Sequence, residues 1–173
     1  NRQFRVPRER SETLPDQKTE EKEADMTYTD LIWDFNGTLY DDVETCLLSI
    51  DTLLEKYGKT PLGTKEHYRE VFGFPITEYY RRAGFNFDEV PFEILAHEWV
   101  ALYLENSVKS VLYDGVTEVL ETFRGYGYRQ TLLSATEREM LQKQSDSLGV
   151  TGYFTEILGL GDIYAYSKTE LGR

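Results

Sequence analysis

A short apolar block near residue 30 limits what this chain can fold into. Residues 28–35 are rich in β-forming side chains, and residues 31–33, Leu-Ile-Trp, do not alternate with polar ones. That pattern is typical of a strand buried on both faces, as in a parallel sheet covered by helices. Turn-forming residues 36–38 follow, and apolar side chains at helical spacing then predict a helix at 42–57. This order favours an α/β protein.

The pattern farther along the chain supports the same fold class. Residues 59–110 contain no clear strand. Three short helices are predicted there, at about 64–72, 76–83 and 91–106. The second half predicts a helix at 114–124, a strand at 128–133, a helix at 135–148 and a strand at 153–158. We therefore expect a Rossmann-like parallel sheet with helices on both faces, interrupted after its first strand by an all-helical insertion.

Composition narrows the class of partner. The 173 residues carry 19 basic and 31 acidic side chains, a net charge of -12 that disfavours nucleic acid and anionic membranes as partners. No apolar run approaches the ~20 residues that span a bilayer. Cys46 is the one cysteine, which excludes an internal disulfide and a cysteine zinc site. We expect a cytoplasmic protein, and the sequence does not indicate its oligomeric state.

The first 25 residues differ from the rest because they are crowded with charges and nearly free of apolar side chains. Such a segment predicts a disordered leader, with a partner-binding basic arm as the alternative. We expect 26–41 and 111–173 to form the α/β core and 42–110 the helical insertion.

Ligands of open parallel sheets bind outside the carboxyl ends of the strands. Asp34 and Ser134 follow two of the predicted strands, and Lys168 follows the third. This set suits a phosphate group. Ser134 and the backbone amides of a helix starting there would cradle the anion, Lys168 would neutralise it, and Asp34 would attack phosphorus or hold a cation.

These residues carry a resemblance to a known family. Residues 34–39, Asp-Phe-Asn-Gly-Thr-Leu, resemble the first motif of the haloacid dehalogenase superfamily, usually Asp-x-Asp-Gly-Thr-Leu, and its phosphoglycolate-phosphatase-like branch with a helical cap in particular. The apolar run 131–133 ending at Ser134 resembles the second motif, and Lys168 the third. The similarity covers about residues 28–173.

The resemblance implies a phosphoric monoester hydrolase acting on small phosphorylated metabolites. Asp34 would be the nucleophile and would bind Mg²⁺ beside the backbone carbonyl of Asn36, and Lys168 would orient Asp34. The phosphoryl group would be held by Gly37, Ser134, Ala135 and Lys168. The insertion at 42–110 would be the cap that closes over the site and selects the substrate.

Two departures from the family pattern bear on catalysis. Asn36 stands where the family usually has the aspartate that protonates the leaving group and activates water, and an amide does neither. The family's fourth motif, an acidic pair completing the Mg²⁺ site, is expected after Lys168, whereas the sequence given ends at Arg173. We therefore expect a further segment or a partner to cover the edge of the first strand.

Other interpretations of the whole chain stay open. A phosphate-binding or regulatory module without turnover would explain Asn36. A haloacid dehalogenase would tolerate that residue because a halide leaves without a proton.

Individual residues also allow plainer interpretations. Tyr80, Arg81 and Arg82 could face an anionic substrate, or could belong to an ordinary amphipathic helix. Ser134 could be a helix cap, and Asp42 is expected to cap the helix at 42–57.

Overall fold

The computed structural model describes residues 28–164. The predicted strands and helices occur in the predicted order, and two short strands, β2 and β3, are additional. The bounds are β1 Asp30–Trp33, β2 Tyr40–Asp41, α1 Val43–Lys56, α2 Lys65–Val71, α3 Ile76–Ala83, α4 Phe92–Asn106, β3 Val111–Leu112, α5 Val116–Gly125, β4 Arg129–Glu137, α6 Arg138–Ser147 and β5 Glu156–Leu160. The predicted leader at 1–25 and Lys168 lie outside the described residues.

Three strands form a parallel sheet in the order β1-β4-β5. Ile32 pairs with Thr131, and Thr131 pairs with Glu156 on its other side. Parallel neighbours require crossover connections, and α6 supplies the one between β4 and β5. The predicted α/β class with a parallel sheet is therefore confirmed. None of the helices within residues 28–164 is long and apolar enough to cross a membrane.

The first strand is less covered than its sequence predicts. β1 lies at one edge of the described sheet, and the side chain of Ile32 is 62% exposed. Leu31 and Trp33 are partly buried, so burial alternates along the strand. Burial of β1 on both faces is therefore wrong for the part of the chain that the structure describes. An apolar side chain at a sheet edge is a place where another strand can pair.

A two-stranded antiparallel ribbon joins the two ends of the helical insertion. Tyr40 of β2 pairs with Leu112 of β3, and the Tyr113 amide donates to the Leu39 carbonyl at 3.0 Å. The sequence prediction placed no strand between the first strand and residue 114, and it missed this ribbon. Two residues are too few to show a period, and the partners lie about 70 positions apart.

The helices between β2 and β3 build their own core. α1 packs against α4, and the fully buried side chains there include Ile50, Leu53 and Leu95. Thr64 caps α2 by accepting a hydrogen bond from the His67 amide at 3.1 Å. All four helices lie within two residues of their predicted bounds, because each has a clear apolar stripe or a Gly or Pro boundary.

The boundary between β4 and α6 differs from the prediction. The strand continues to Glu137, and the helix begins at Arg138 rather than at 135. Glu137 caps the helix by accepting hydrogen bonds from the amides of Glu139 and Met140, at 2.9 and 3.0 Å. β5 approaches this junction closely at Gly159, where a Cβ atom would lie 2.7 Å from the Arg138 Cα. The tight approach requires glycine.

Candidate active site

The loop after β1 places Asp34 at the carboxyl end of the sheet. Phe35, fully buried, anchors the loop, and its carbonyl accepts hydrogen bonds from the amides of Leu39 and Tyr40 at 2.9 and 3.0 Å. Gly37 has a φ of 68°, a left-handed conformation that glycine adopts without strain. Asp34 is partly buried, and its Oδ2 accepts a hydrogen bond from the Thr38 hydroxyl at 3.1 Å. The tight turn thus fixes the position of this carboxylate.

Asn36 lies at the centre of a hydrogen-bond network between three parts of the chain. Its Nδ2 donates to Asp42 Oδ2 at 2.7 Å and to the Tyr103 hydroxyl at 3.2 Å. Its Oδ1 accepts from the hydroxyls of Ser134 and Thr136, at 2.9 and 2.8 Å. An amide side chain has two N–H donors and two acceptor lone pairs, so these four bonds use its full capacity. The network fixes the orientation of the amide.

Asp42 is a buried carboxylate at the start of α1, with 1% of its surface exposed. Its Oδ1 accepts from the Gly37 amide at 2.9 Å, and its Oδ2 accepts from the Tyr103 hydroxyl at 2.7 Å as well as from Asn36. Its interpretation as a side-chain cap is wrong, because these donors take its oxygens instead of the amides of α1. Burying a carboxylate is unfavourable unless such donors compensate. Asp42 therefore links the Asn36 loop to α4.

Two neighbours of Asp42 stay protonated. Burial, with the nearby Asp42 charge, raises the pKa of the Tyr103 phenol far above its usual range. Burial and Asp42 likewise raise the pKa of the Cys46 thiol well above its ordinary value. In both cases the neutral form is favoured, because a second negative charge would have to be buried beside the first. Tyr103 is thus a stable hydrogen-bond donor to Asp42.

Ser134 and Thr136 lie toward the end of β4, next to the Asp34 loop. Ser134 is 1% exposed, and its Oγ accepts a hydrogen bond from the Thr136 amide at 3.0 Å. The prediction of Ser134 at a helix start is wrong, because α6 begins four residues later. The amides of Glu139 and Met140 at that start are already bound by Glu137. The first turn of α6 therefore does not supply amides directly after Ser134, and phosphate binding by Ser134 and Ala135 stays a prediction.

The predicted cap residues separate into two groups. Tyr80 is buried and lines the cavity described below. Arg81 pairs with Glu78 and lies 4.7 Å from the centre of the Phe87 ring. Arg82 Nε donates to the Val71 carbonyl at 2.7 Å. The structure thus brings Tyr80 to the cavity, whereas both arginines make contacts elsewhere, as the amphipathic-helix interpretation predicts.

A cavity of about 370 Å³ lies between the helical insertion and the carboxyl ends of the strands. Its polar floor includes Asp34, Asn36, Ser134 and Thr136, and Gly37 and Ala135 also line it. Its walls are mainly aromatic and aliphatic side chains of the insertion. Sequence reasoning did not assign most of the cavity residues that lack a motif, among them Asp42, Tyr103 and Thr136. The Asp41-Asp42 pair was the available signal for the first of them.

The described oxygen ligands agree with Mg²⁺ in part. This ion prefers oxygen and is commonly bound by one or two carboxylates, with phosphate oxygens and water completing its shell. Asp34 offers a carboxylate and Asn36 a backbone carbonyl, and both residues line the cavity. Across residues 28–164 there is no group of three His, Cys, Asp or Glu residues placed to hold a metal. These ligands fit an ion that relies on phosphate and water for its remaining contacts.

A parallel sheet with these side chains at its strand ends, beneath a helical insertion, defines the Rossmann-like α/β class. Residues 31–168 match the family model of the haloacid dehalogenase-like hydrolases. The chain therefore belongs to the haloacid dehalogenase-like hydrolase family, which confirms the resemblance carried by residues 34–39.

Individual relatives agree with this assignment. The phosphoglycolate phosphatase of Nitrosococcus oceani is 31% identical over 144 residues, covering 80% of this chain and 63% of that protein. The phosphoglycolate phosphatase of Pseudomonas fluorescens Pf-5 is 27% identical over 146 residues, covering 81% and 53%. The crystal structure of a predicted phosphoglycolate phosphatase from Haemophilus somnus 129PT has a TM-score of 0.65 at 23% identity, covering 79% and 65%. The chain thus spans between one half and two thirds of these relatives.

Proposed function

We propose that this protein is a phosphatase of small phosphorylated metabolites and that Asp34 is its nucleophile. The observation that carries the proposal is the convergence of Asp34, Ser134 and Thr136 on one cavity floor at the strand ends. A carboxylate oxygen of Asp34 would attack phosphorus while the bond to the ester oxygen breaks. Water would then hydrolyse the acyl phosphate and restore the carboxylate. The named relatives make phosphoglycolate the first substrate to test.

The other side chains of the floor would position the phosphoryl group. The Thr38 hydroxyl donates a hydrogen bond to Asp34 Oδ2 and would hold the carboxylate in place for the attack. Ser134, Gly37 and Ala135 line the cavity beside it, and Lys168, outside the described residues, would supply the positive charge. When bound at Asp34 and the Asn36 carbonyl, Mg²⁺ would draw charge from the phosphoryl oxygens. We propose these roles, and we also propose that residues 26–41 and 111–173 form the core and residues 42–110 the cap.

Asn36 defines how this site would differ from one with an acid at that position. Its amide is held by Asp42, Tyr103, Ser134 and Thr136 and has no proton to give at neutral pH. The leaving alkoxide would therefore take its proton from water. General acid catalysis typically contributes ~10²- to 10⁴-fold, so turnover of alkyl esters would be slower by about that factor. Asn36 would act as a positioning residue that holds the loop against β4.

The test is the Asp34→Asn substitution. We expect it to abolish phosphate release and to abolish the increase in melting temperature that beryllium fluoride, a mimic of the phosphoryl group, produces in the unmodified protein. Asp114→Asn is the matched control, because Asp114 is exposed and does not line the cavity. Phosphatase activity that survives Asp34→Asn while the fold is retained would refute the proposal.

A phosphate-binding module without turnover is the second candidate, and the saturated amide of Asn36 is the observation that favours it. It predicts that a phosphate ester raises the melting temperature by mass action while no phosphate is released. Measurement of the pre-steady-state burst of alcohol separates the two candidates. A phosphatase releases at least one alcohol molecule per Asp34, whereas a binding module releases none.

A further inference from the structure

The wall of the cavity contributed by the helical insertion is aromatic. Eight aromatic residues of α2 to α4 and the segments between them line it: Tyr68, Phe72, Phe74, Tyr79, Tyr80, Phe92, Trp99 and Tyr103. Two groups of rings are in contact. In the larger group the ring centroids are 5.2 Å apart for Phe72 and Tyr79 and 5.4 Å apart for Tyr80 and Phe92, and in the smaller group Trp99 stacks on Tyr103. Such aromatic surface suits the face or edge of another ring. The cavity therefore offers stacking rather than ion pairing.

Charge on this wall is sparse. Of the described residues that line the cavity, Arg69 alone is cationic, and it is exposed. Asp34, Asp42 and Glu137 add negative charge to the lining. Within residues 28–164, the surroundings of a second anionic group, such as the carboxylate of phosphoglycolate, would be mainly rings and acids. Burial of an unpaired charge is strongly unfavourable.

Two buried donors on the wall have no hydrogen-bond partner among residues 28–164. They are the Tyr79 hydroxyl and the Trp99 indole Nε1. Tyr79 is 2% exposed, and burial raises the pKa of its phenol well above the ordinary value, so the hydroxyl stays neutral. The Trp99 ring stacks on Tyr103 with centroids 5.1 Å apart, which places it beside the Asn36 network. Buried donors are rarely left unsatisfied. Both atoms are covered by neighbouring side chains, so an acceptor atom on a ligand would satisfy one of them after that side chain turns toward the cavity.

We infer that the substrate is a phosphomonoester whose alcohol part is an uncharged aromatic ring carrying a hydrogen-bond acceptor. This inference rests on the proposed function, because it assigns the phosphate to the floor at Asp34. The ring would lie against the aromatic wall, and its acceptor would receive a hydrogen bond from Tyr79 or Trp99 once that side chain turns toward the cavity. A cavity of about 370 Å³ is near the lower end of the ~300–1,000 Å³ typical of ligand sites, which suits one ring and a phosphate.

The first test compares three esters of primary alcohols, so that their leaving groups differ little. They are phosphoglycolate, 2-phenylethyl phosphate and 2-(4-pyridyl)ethyl phosphate, whose ring nitrogen is the acceptor. We expect kcat/KM for the pyridyl ester to exceed that for phosphoglycolate by at least about tenfold, because an apolar pocket favours the substrate that makes the larger apolar contact. The phenyl ester should fall between them. A kcat/KM that is highest for phosphoglycolate would overturn the inference and leave the phosphatase proposal intact.

The second test removes one donor. Tyr79→Phe keeps the ring and deletes the hydroxyl, and it should bring the kcat/KM of the pyridyl ester down toward that of the phenyl ester. The melting temperature of the free protein should not fall, because the hydroxyl has no partner in the described part of the chain. Tyr126→Phe is the control, since Tyr126 is 67% exposed and does not line the cavity. An unchanged preference in both Tyr79→Phe and Trp99→Phe would refute the role of these donors.

Binding measurements separate this inference from the proposed function. 3-Phenylpropylphosphonate and 3-phosphonopropionate replace the ester oxygen with carbon and cannot be hydrolysed at that position. We expect the first to raise the melting temperature more than the second at equal concentration. If it does so while none of the three esters is hydrolysed, ring recognition is supported and the phosphatase proposal fails. If the carboxylate compound binds more tightly, the inference fails whatever the activity.

Discussion

The side-chain amide of Asn36 donates a hydrogen bond of 2.7 Å to the buried carboxylate of Asp42. Asp42 also accepts hydrogen bonds from the Gly37 amide, the Tyr103 hydroxyl and, at 3.8 Å, the Cys46 thiol, so four donors compensate its charge. An amide is suited to position 36 because it presents N–H groups to Asp42 and a carbonyl to Ser134. A carboxylate at position 36 would face a second carboxylate instead.

Asn36→Asp is therefore expected to destabilise the protein rather than simply to restore an acid. The introduced carboxyl group would lie in contact with the Asp42 carboxylate. Two carboxylates in contact do not both ionise readily, so the pKa of the introduced group is raised in the folded state. A folded-state pKa above the unfolded value means that stability is lost as pH rises. We expect a melting temperature about 5 °C below that of the unmodified protein at pH 7, and a difference that closes toward pH 4. Thermal denaturation from pH 4 to 8 measures it.

The exchange of both side chains is the matched control. The double variant Asn36→Asp, Asp42→Asn keeps one carboxylate and one amide, and it should recover most of the lost melting temperature. Asp42→Asn alone places two amide side chains against each other. A buried network broken in this way typically costs about 1–3 kcal/mol for the unsatisfied groups. Additive effects of the two substitutions would contradict direct coupling between the residues.

Gly159→Ala is expected to destabilise the protein at the junction of β4, α6 and β5. The added Cβ would lie 2.7 Å from the Arg138 Cα and 2.8 Å from the Thr136 carbonyl, both backbone atoms that cannot rotate away. Overpacking of this kind costs about 1–3 kcal/mol in free energy of unfolding. Urea denaturation provides the measurement. Gly152→Ala is the control, because nothing lies within 4 Å of its added carbon, and equal losses for both variants would refute the steric explanation.

Cys46 is expected to react slowly with thiol reagents in the folded protein. Burial and the Asp42 charge raise the pKa of its thiol, and the side chain is 8% exposed. Since the thiolate is the reactive form, we expect alkylation by iodoacetamide at pH 8 to be at least about tenfold slower than in urea-unfolded protein. The unfolded sample also verifies that one thiol is available per chain. Equal rates in the two states would contradict the burial of this thiol beside Asp42.

Local patterns were sufficient for much of the fold. The α1 helix at Val43–Lys56 and the α3 helix at Ile76–Ala83 were predicted within one residue, because apolar spacing and bounding Gly or Pro residues are local properties. The loop at residues 34–39 was singled out for the same reason, since turn chemistry follows a strand there. Motif resemblance also identified the family.

Long-range packing decided the rest. The sequence by itself determined the order of strands and helices, the position of Asp34 at a strand end and the helical character of the insertion. Only the tertiary structure decided that β2 pairs with β3, that Asp42 serves Asn36 instead of capping α1, and that Arg81 and Arg82 make contacts away from the cavity. The physical reason is that a hydrogen-bond partner dozens of residues away leaves no periodic trace in its own segment. Tyr103 reaches Asp42 across 61 positions, and such a contact exists only once the intervening helices have packed.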